Sequence, residues 1–215
     1  NIVIKYMGYK MREKDDSARG KILEAAKAEF MERGFAEASL RTIAERAGFT
    51  TGMLYSRFAD KSEIFRELVE GPADELYNYF MTVQNEFAGY SPEYQRREMH
   101  PYVAQKIDRM VDLIYDNFDV FKLILCKSGG TSYEYYVDKM IDVETESTFR
   151  FIDAVKGAGY EIADIRKDLA HMLASAMFNG MFEVVMHDLS REDARQYIQK
   201  LQECFNAGWD KLLGL

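Results

Sequence analysis

The chain has 215 residues, 47% of them hydrophobic and 30% charged, so it is long enough to bury a core as one large domain or two smaller ones. No apolar run approaches the roughly 18 residues of a membrane span, and residues 1–10 lack the apolar centre and cleavage site of a signal peptide. Cys126 and Cys204 lie far apart and match no metal-ligand spacing, so we expect buried thiols in a reducing compartment. These features argue against membrane and secreted classes and indicate a cytoplasmic protein.

The net charge of −8 is distributed unevenly along the chain. Residues 1–62 contain 12 Lys and Arg against 9 Asp and Glu, whereas residues 63–215 contain 16 against 27. The N-terminal part is therefore mildly basic and the remainder acidic. Only the N-terminal part is suited to meet a polyanion, although an acidic surface also keeps proteins in solution.

Apolar residues recur at spacings of three and four, and the chain has only three prolines, which predicts an all-α fold. A first helix is predicted over residues 17–33, with Gly34 as a left-handed stop and Phe35 folding back onto the core. Short helices follow from the caps Ser39 and Thr50, and Asp60 with Glu63 forms a capping-box-like start for a fourth. After a break at Gly71-Pro72 we expect helices over 73–87, 101–118, 119–127, 132–156, 165–187 and 190–213, with a loop or ragged helix start over 88–99.

The two short helices are joined by Ala47-Gly48-Phe49-Thr50, which has the spacing of a helix-turn-helix. The glycine permits a tight turn, and the second helix of such a motif enters the DNA major groove. On spacing alone, a helical hairpin packed into a core is the alternative.

A longer pattern surrounds this turn: Ala25-Ala26, Phe30, Gly34-Phe35, the run IAERAGFTTGMLYSRF from Ile43 to Phe58, and Asp60-Lys61-Ser62-Glu63. This pattern, within residues 22–68, resembles the DNA-binding domain of the TetR family of bacterial transcriptional regulators. The resemblance implies a three-helix DNA-binding domain over residues 14–62 and a larger helical domain for effector binding and dimerisation over residues 63–215. Arg57 stands where many members have histidine, and it retains a cation able to touch phosphate.

The predicted DNA contacts are Ser39, Arg41, Thr50, Thr51, Gly52, Met53, Tyr55, Arg57 and Lys61. Thr50, Thr51 and Gly52 begin the recognition helix and are small enough to approach base edges, although Thr50 is equally suited to be only the helix cap. Tyr55 and Arg57 project away from the apolar face and suit phosphate contacts.

Two further cations follow from the resemblance. Arg41 and Lys61 occupy positions where the family binds backbone phosphates. For both residues, as for Tyr55, an ordinary surface or partly buried role is the alternative.

The remainder of the chain is rich in aromatic residues and methionines, which fill cores and also line adaptable ligand cavities. The predicted ligand-binding residues are Tyr77, Phe80, Met81, Met110, Tyr115, Phe118, Tyr136, Met140 and Phe178. A buried carboxylate or phenol among them would suit a cationic or aromatic ligand.

The last two helices are the dimer interface that the resemblance implies. Small residues allow close helix approach, and an apolar stripe follows along the final helix. The predicted interface residues are Ala176, Gly180, Ile198, Leu201, Phe205 and Trp209, with the core of the single chain as the alternative.

No catalytic constellation is apparent, since His100, His171 and His187 are scattered along the chain. A metal site built from His171 or His187 with Glu183 is a weaker alternative to ordinary histidines. We therefore expect no enzymatic activity, no cofactor, no metal and no membrane partner.

The sequence thus predicts a ligand-responsive repressor that binds a palindromic operator in double-stranded DNA as a homodimer and is released by a small, largely apolar or aromatic effector. A helical small-molecule carrier or interaction protein without operator binding is the main alternative, and a degenerate enzyme is the third.

Overall fold

The computed structural model describes the backbone of residues 2–215 and the side chains of residues 17–215. Over this range the chain forms nine α-helices and no strand, which confirms the all-α prediction. The helices are α1 (Ile2–Glu37), α2 (Leu40–Ala47), α3 (Thr51–Tyr55), α4 (Lys61–Ala88), α5 (Pro92–Asp116), α6 (Phe118–Lys127), α7 (Tyr136–Gly157), α8 (Lys167–Met186) and α9 (Arg191–Leu213). The expectations for residues 1–10 and for a domain start at residue 14 fall outside the described side chains.

The chain divides into two compact units. The first comprises Asn1–Gly71 and Cys126–Glu134, and the second comprises Pro72–Leu125 and Tyr135–Leu215. Helix α4 contributes to both, because residues 61–71 belong to the first unit and residues 72–88 to the second. The predicted boundary between residues 62 and 63 lies inside this helix.

The first unit has a core of phenylalanine and branched aliphatic side chains. Gly34 interrupts α1 with φ 75° and ψ 164°, a conformation that side chains with a Cβ rarely adopt. The helix kinks there, and Phe35 is buried against Phe30 and Phe65, with ring centroids 5.9 and 5.5 Å away. Gly34 is thus a kink inside α1, which ends at Glu37, and not the predicted left-handed stop, whereas Phe35 is buried in the core as predicted.

Prolines interrupt the helices less than the sequence predicted. Helix α4 continues through Gly71-Pro72, and α5 begins at Pro92 behind the cap Ser91 and includes Pro101. The predicted break is absent, and the predicted loop over 88–99 is reduced to residues 89–91. A proline inside a helix removes one backbone hydrogen bond, and burial of neighbours such as Ala73 and Tyr102 offsets that loss here.

Both cysteines are exposed, which corrects the prediction of buried thiols. Each lies two residues after a buried position, Cys126 after Ile124 on α6 and Cys204 after Gln202 on α9. Two residues correspond to about 200° of rotation around a helix, so each thiol points away from the core.

Helix α8 is the one helix of the described residues that is long and apolar enough to cross a bilayer by length and composition. No apolar run in the sequence predicted such a segment. Its residues Ala170, Ala174, Phe178 and Phe182 are buried within the second unit, so we assign α8 to the core of that unit.

Candidate nucleic-acid interface and effector cavity

Local capping interactions build the turn between α2 and α3. Gly48 has the left-handed conformation (φ 76°, ψ 29°), and its N–H donates to the carbonyl of Glu45 at 3.1 Å. The N–H of Phe49 donates to the carbonyl of Ala44 at 2.9 Å, which completes a Schellman motif. Thr50 then caps α3 by accepting from the N–H of Met53 at 3.2 Å. The predicted helix-turn-helix is present, with the glycine at the position that requires it.

Helix α3 presents a small polar face to solvent. Thr51 and Gly52 are exposed, Tyr55 is 56% exposed, and Met53 is half-buried, whereas Leu54 on the opposite side is completely buried. Thr50 is exposed as well as capping the helix. Leu54 therefore anchors α3 in the core of the first unit, and the side chains predicted to read bases stay exposed to solvent.

Two of the cations predicted to contact DNA, Arg41 and Arg57, make different contacts within the chain. The exposed Arg41 makes an ion pair with Glu45 one turn later, with its Nε 2.9 Å from the carboxylate. Nη1 of Arg57 donates to the carbonyl of Met53 at 3.3 Å and to Oγ of Ser56 at 3.1 Å. Both guanidiniums are thus held beside α2 and α3 by local contacts.

Lys61 has a structural role that the sequence did not indicate. Its Nζ donates to the carbonyls of Ala36 and Ala38 at 3.0 and 3.1 Å and lies 4.6 Å from the ring centroid of Phe35. The ammonium therefore satisfies carbonyls at the end of α1. Its contact with phosphate stays a prediction.

Two residues that the sequence analysis missed hold the motif in place. The buried carboxylate of Glu29 accepts from the N–H of Ser39, the cap of α2, at 3.2 Å. Arg19 forms a bidentate pair with Glu67, donates to the carbonyl of Arg57 at 3.1 Å and lies over the ring of Phe58. Glu29 falls on the apolar stripe of α1, and a charged residue in such a stripe is the signal that could have identified it.

The second unit contains a cavity of ≈ 300 Å³ lined by α4, α5, α7, α8 and α9. Its lining includes polar side chains as well as aromatic rings and methionines, among them Phe80, Phe87, Phe151, Phe178, Trp209, Met99, Met110, Met177 and Met181. A concave site of this size and composition is typical of small-molecule binding.

Of the nine predicted ligand-binding residues, the structure brings Phe80, Met110 and Phe178 to the cavity. The other six predicted residues do not line this cavity: Tyr77, Met81, Tyr115, Phe118, Tyr136 and Met140. Tyr136, for example, is buried with its hydroxyl donating to the carbonyl of Ala73 at 2.7 Å, and that of Tyr115 donates to the carbonyl of Leu189 at 3.0 Å. Composition identified the kind of wall but not which side chains converge.

A carboxylate also faces this cavity. Glu144 on α7 accepts a hydrogen bond from Nε2 of Gln84 on α4 at 2.6 Å, and both residues line the cavity. Burial raises the pKa of Glu144, and the hydrogen bond from Gln84 opposes part of that rise. Neither residue was among the predicted ligand-binding residues.

The predicted dimer residues divide into two groups. Ile198 is only 4% exposed in the single chain, Trp209 lines the cavity, and a Cβ on Gly180 would lie 3.0 Å from Leu201 of the same chain. These residues contribute to the chain's own packing, and their place in a dimer interface stays a prediction. Leu201 and Phe205 are half-buried, and Ala176 is exposed.

Outer positions of α8 and α9 carry apolar side chains in solvent. Met172 is 57% exposed, and Leu169, Met186, Tyr197 and Leu212 are also exposed. Met172 and Ala176 are one turn apart on α8, so they share a face of that helix.

The histidines weighed as metal ligands form simple pairs. His187 lies 2.7 Å from Glu183, and His171 lies 3.8 Å from Asp142. Among the described residues, no group of three or more His, Cys, Asp or Glu is arranged to hold a metal ion.

Comparisons with known proteins agree with this architecture. The profile of the family described as bacterial regulatory proteins, tetR family, matches residues 22–68. The transcriptional repressor KstR2 of Mycobacterium tuberculosis is 45% identical over 62 residues, which are 29% of this chain and 31% of that protein. The regulator TtgR of Pseudomonas putida is 39% identical over 59 residues, 27% of this chain and 28% of that protein.

The chain thus matches less than a third of the length of these relatives. A solved structure of NalD, a repressor of a multidrug efflux pump in Pseudomonas aeruginosa, is similar over 94% of this chain and 98% of that chain. Its TM-score is 0.54 at 16% identity. This likeness shows that the two chains share a fold.

Proposed function

This chain belongs to the TetR family of bacterial regulatory proteins, and from that premise we propose that it is a cytoplasmic transcriptional repressor. It binds a palindromic operator as a homodimer and releases it when a small apolar or aromatic effector fills the cavity of the second unit. The observation that carries the proposal is the helix-turn-helix formed by α2 and α3, which are joined at Gly48. Thr51, Gly52 and Tyr55 are exposed on its second helix.

Thr51 is the side chain best placed to read a base. It lies in the first turn of α3 next to Gly52, and neither residue is covered by the rest of the first unit. A threonine offers a hydroxyl and a methyl group to a base edge in the major groove. Arg41 and Arg57 supply sequence-independent attraction to phosphates.

We propose a homodimer because specific operator binding needs two such DNA-binding units. One short helix reads few base pairs, and a twofold partner doubles the site while requiring half-sites spaced by one helical turn or a multiple. The exposed apolar side chains Met172 and Ala176 on α8 are the surface we propose for this contact. Burial against a second copy would remove them from water.

The effector role of the cavity rests on its walls and on helix α4. The same helix contributes Ile64 and Phe65 to the core of the first unit and Phe80 and Gln84 to the cavity of the second. A ligand that displaces the cavity end of α4 would act on an element shared with the DNA-binding unit.

The test is binding to duplexes selected from a random pool, measured by fluorescence anisotropy at several salt concentrations. We expect log affinity to fall linearly with log salt. Thr51→Val should change the preferred base at one position by about 1–3 kcal/mol, whereas Thr82→Val, on an exposed residue of the second unit, should change nothing. A protein that enriches no duplex and shows no salt dependence would instead be a small-molecule carrier.

The assembly is tested by sedimentation. Met172→Glu and Ala176→Arg should each produce a folded monomer with weaker operator binding. Tyr90→Glu, an exposed residue between α4 and α5, is the matched control and should stay dimeric. Dimers in all three variants would place the interface elsewhere.

A further inference from the structure

The cavity of the second unit contains a carboxylate that has no cationic partner. Within the part of the chain that the structure describes, Glu144 makes no ion pair, and its side-chain hydrogen bond comes from the neutral amide of Gln84 at 2.6 Å. An ionised group withdrawn from water is unfavourable unless something compensates it. One amide compensates it only in part, which is consistent with the raised pKa of this carboxyl.

The other charged or titratable groups of the cavity wall are engaged elsewhere or lie in solvent. On α5, Lys106 pairs with Glu86 at 3.2 Å and His100 with Asp210 at 2.7 Å. The hydroxyl of Tyr102 lies 3.1 Å from Glu86 and 3.2 Å from the carbonyl of Val83.

On α7, the exposed Arg150 donates to Oγ of Ser147 at 2.7 Å. The lining residues from α4, α8 and α9 carry no ionisable side chain. Among the described residues that line the cavity, the half-buried Glu144 is therefore the charged side chain that has neither an ion-pair partner nor full exposure to solvent.

The walls around this carboxylate suit a flat positive ligand. Phe80 and Phe178 meet edge to face, with ring centroids 5.7 Å apart, and Met110, Met177 and Met181 line the same cavity. Aromatic faces attract cations, and the thioethers of methionine are polarizable and adapt to the shape of a ligand. Such a wall stabilises a delocalised cation better than it stabilises a carboxylate.

We propose that the cavity binds aromatic cations, with the carboxylate of Glu144 as the counter-ion of a protonated or quaternary nitrogen. This inference rests on the proposed function only in taking the second unit as a sensor domain. A bound cation would stabilise the ionised form of Glu144 by supplying the positive partner that the cavity wall does not provide. A neutral ring system of the same size would gain the apolar contacts but not the ion pair.

The experiment uses three fluorescent three-ring probes of similar shape: 9-aminoacridine as the cation, 9-anthracenemethanol as the neutral compound and anthracene-9-carboxylate as the anion. We expect the full-length protein to bind the cation about 10- to 100-fold more tightly than the neutral probe, the range of a charge-assisted hydrogen bond shielded from water. Glu144→Gln should remove this preference and leave the neutral probe unaffected. Glu146→Gln removes an exposed carboxylate from the same helix outside the cavity and should retain the preference.

A second measurement on the unmodified protein keeps the test independent of the folding of the variant. Calorimetry of 9-aminoacridine in buffers of different ionisation enthalpy should show protons released from the protein as the pH is lowered toward the raised pKa of Glu144. Tighter binding of the anion, or equal binding of the cation by the unmodified protein and Glu144→Gln, would overturn the proposal. Operator binding in the absence of any probe is measured in parallel, so failure of the cation preference is distinguishable from failure of DNA recognition.

Discussion

The buried carboxylate of Glu29 on α1 accepts a hydrogen bond from the backbone N–H of Ser39, 3.2 Å away, at the start of α2. The guanidiniums of Arg33 and Arg46 lie 3.6 and 3.5 Å from the same carboxylate. One side chain therefore ties the first helix of the DNA-binding unit to both ends of the second. The orientation of the helix-turn-helix depends on a charge inside the core.

Replacing Glu29 with Ala should destabilise the first unit. The change leaves the N–H of Ser39 without its acceptor and removes a partner of Arg46, with an expected cost of about 1–3 kcal/mol. Glu32→Ala, which removes an exposed partner of the same Arg46, should cost less than Glu29→Ala, because ion pairs in solvent contribute little to stability. Urea unfolding followed by circular dichroism measures the loss.

The single tryptophan provides an internal control for this prediction. Trp209 belongs to the second unit, so its fluorescence reports that unit. For Glu29→Ala, we expect circular dichroism to change at lower urea concentrations than tryptophan fluorescence. Coincident unfolding curves from the two signals would mean that the two units unfold as one.

Two glycine substitutions should have opposite effects on stability. Gly48 has a left-handed backbone, and Gly48→Ala should cost about 1–2 kcal/mol although nothing lies within 4 Å of the added Cβ. Gly20 lies inside α1 in equally open space, so Gly20→Ala should stabilise by about 0.5–1 kcal/mol. Thermal unfolding measures both changes in stability. A lower stability of Gly20→Ala would contradict the prediction that position 20 is an unstrained position inside a helix.

Sequence reasoning predicted the elements controlled by local rules better than those controlled by packing. Gly48, Ser39 and Thr50 have the roles expected of stops and caps, because these depend on a few neighbouring residues. The break at Gly71-Pro72 was wrong, since burial of α4 overrides a local preference.

The candidate sites show the same division. The exposed face of α3 follows from helical periodicity, and periodicity placed Thr51 and Tyr55 correctly in solvent. The cavity lining brings together residues from five helices. Periodicity within one helix therefore cannot show that Glu144 meets Gln84, 60 positions earlier in the chain.

Arg41 and Lys61 should respond differently to replacement by alanine. Arg41 is exposed and pairs only with a surface carboxylate in this unit, so Arg41→Ala should weaken binding to all duplexes and reduce the salt slope by about 0.9 without changing stability. Lys61→Ala also removes two hydrogen bonds to the carbonyls at the end of α1, so it should lower the unfolding temperature as well. Anisotropy and thermal unfolding of both variants separate the two roles, and equal unfolding temperatures would contradict the structural role of Lys61.

Glu144 should make stability depend on pH in a direction opposite to that of most carboxylates. Burial raises the pKa of Glu144 above its ordinary 4.5, so the folded chain binds the proton more tightly than the unfolded chain. The contribution of this group to stability is fully present below pH 4.5 and is lost as the pH rises through the raised pKa. Glu144→Gln should therefore melt at a higher temperature than the unmodified protein at pH 7.5, with the gap closing toward pH 4.5. A gap of the same size at both pH values, or an equal gap for Glu146→Gln, would contradict this.

The coupling between effector and operator should run through α4 and be reciprocal. Linkage requires operator DNA to weaken effector affinity by the same factor by which the effector weakens DNA affinity, typically about 5- to 150-fold.

Pro72 cannot donate a backbone hydrogen bond within α4, so Pro72→Ala should stiffen this helix and increase the coupling factor. Pro101→Ala makes the same change inside α5 and should leave the factor unaltered. The measurement is the affinity of an effector identified by thermal-shift screening, with and without operator, for the unmodified protein and both variants. An effector that binds equally well with and without DNA would remove the sensor role from the second unit, and equal shifts in both variants would place the coupling outside α4.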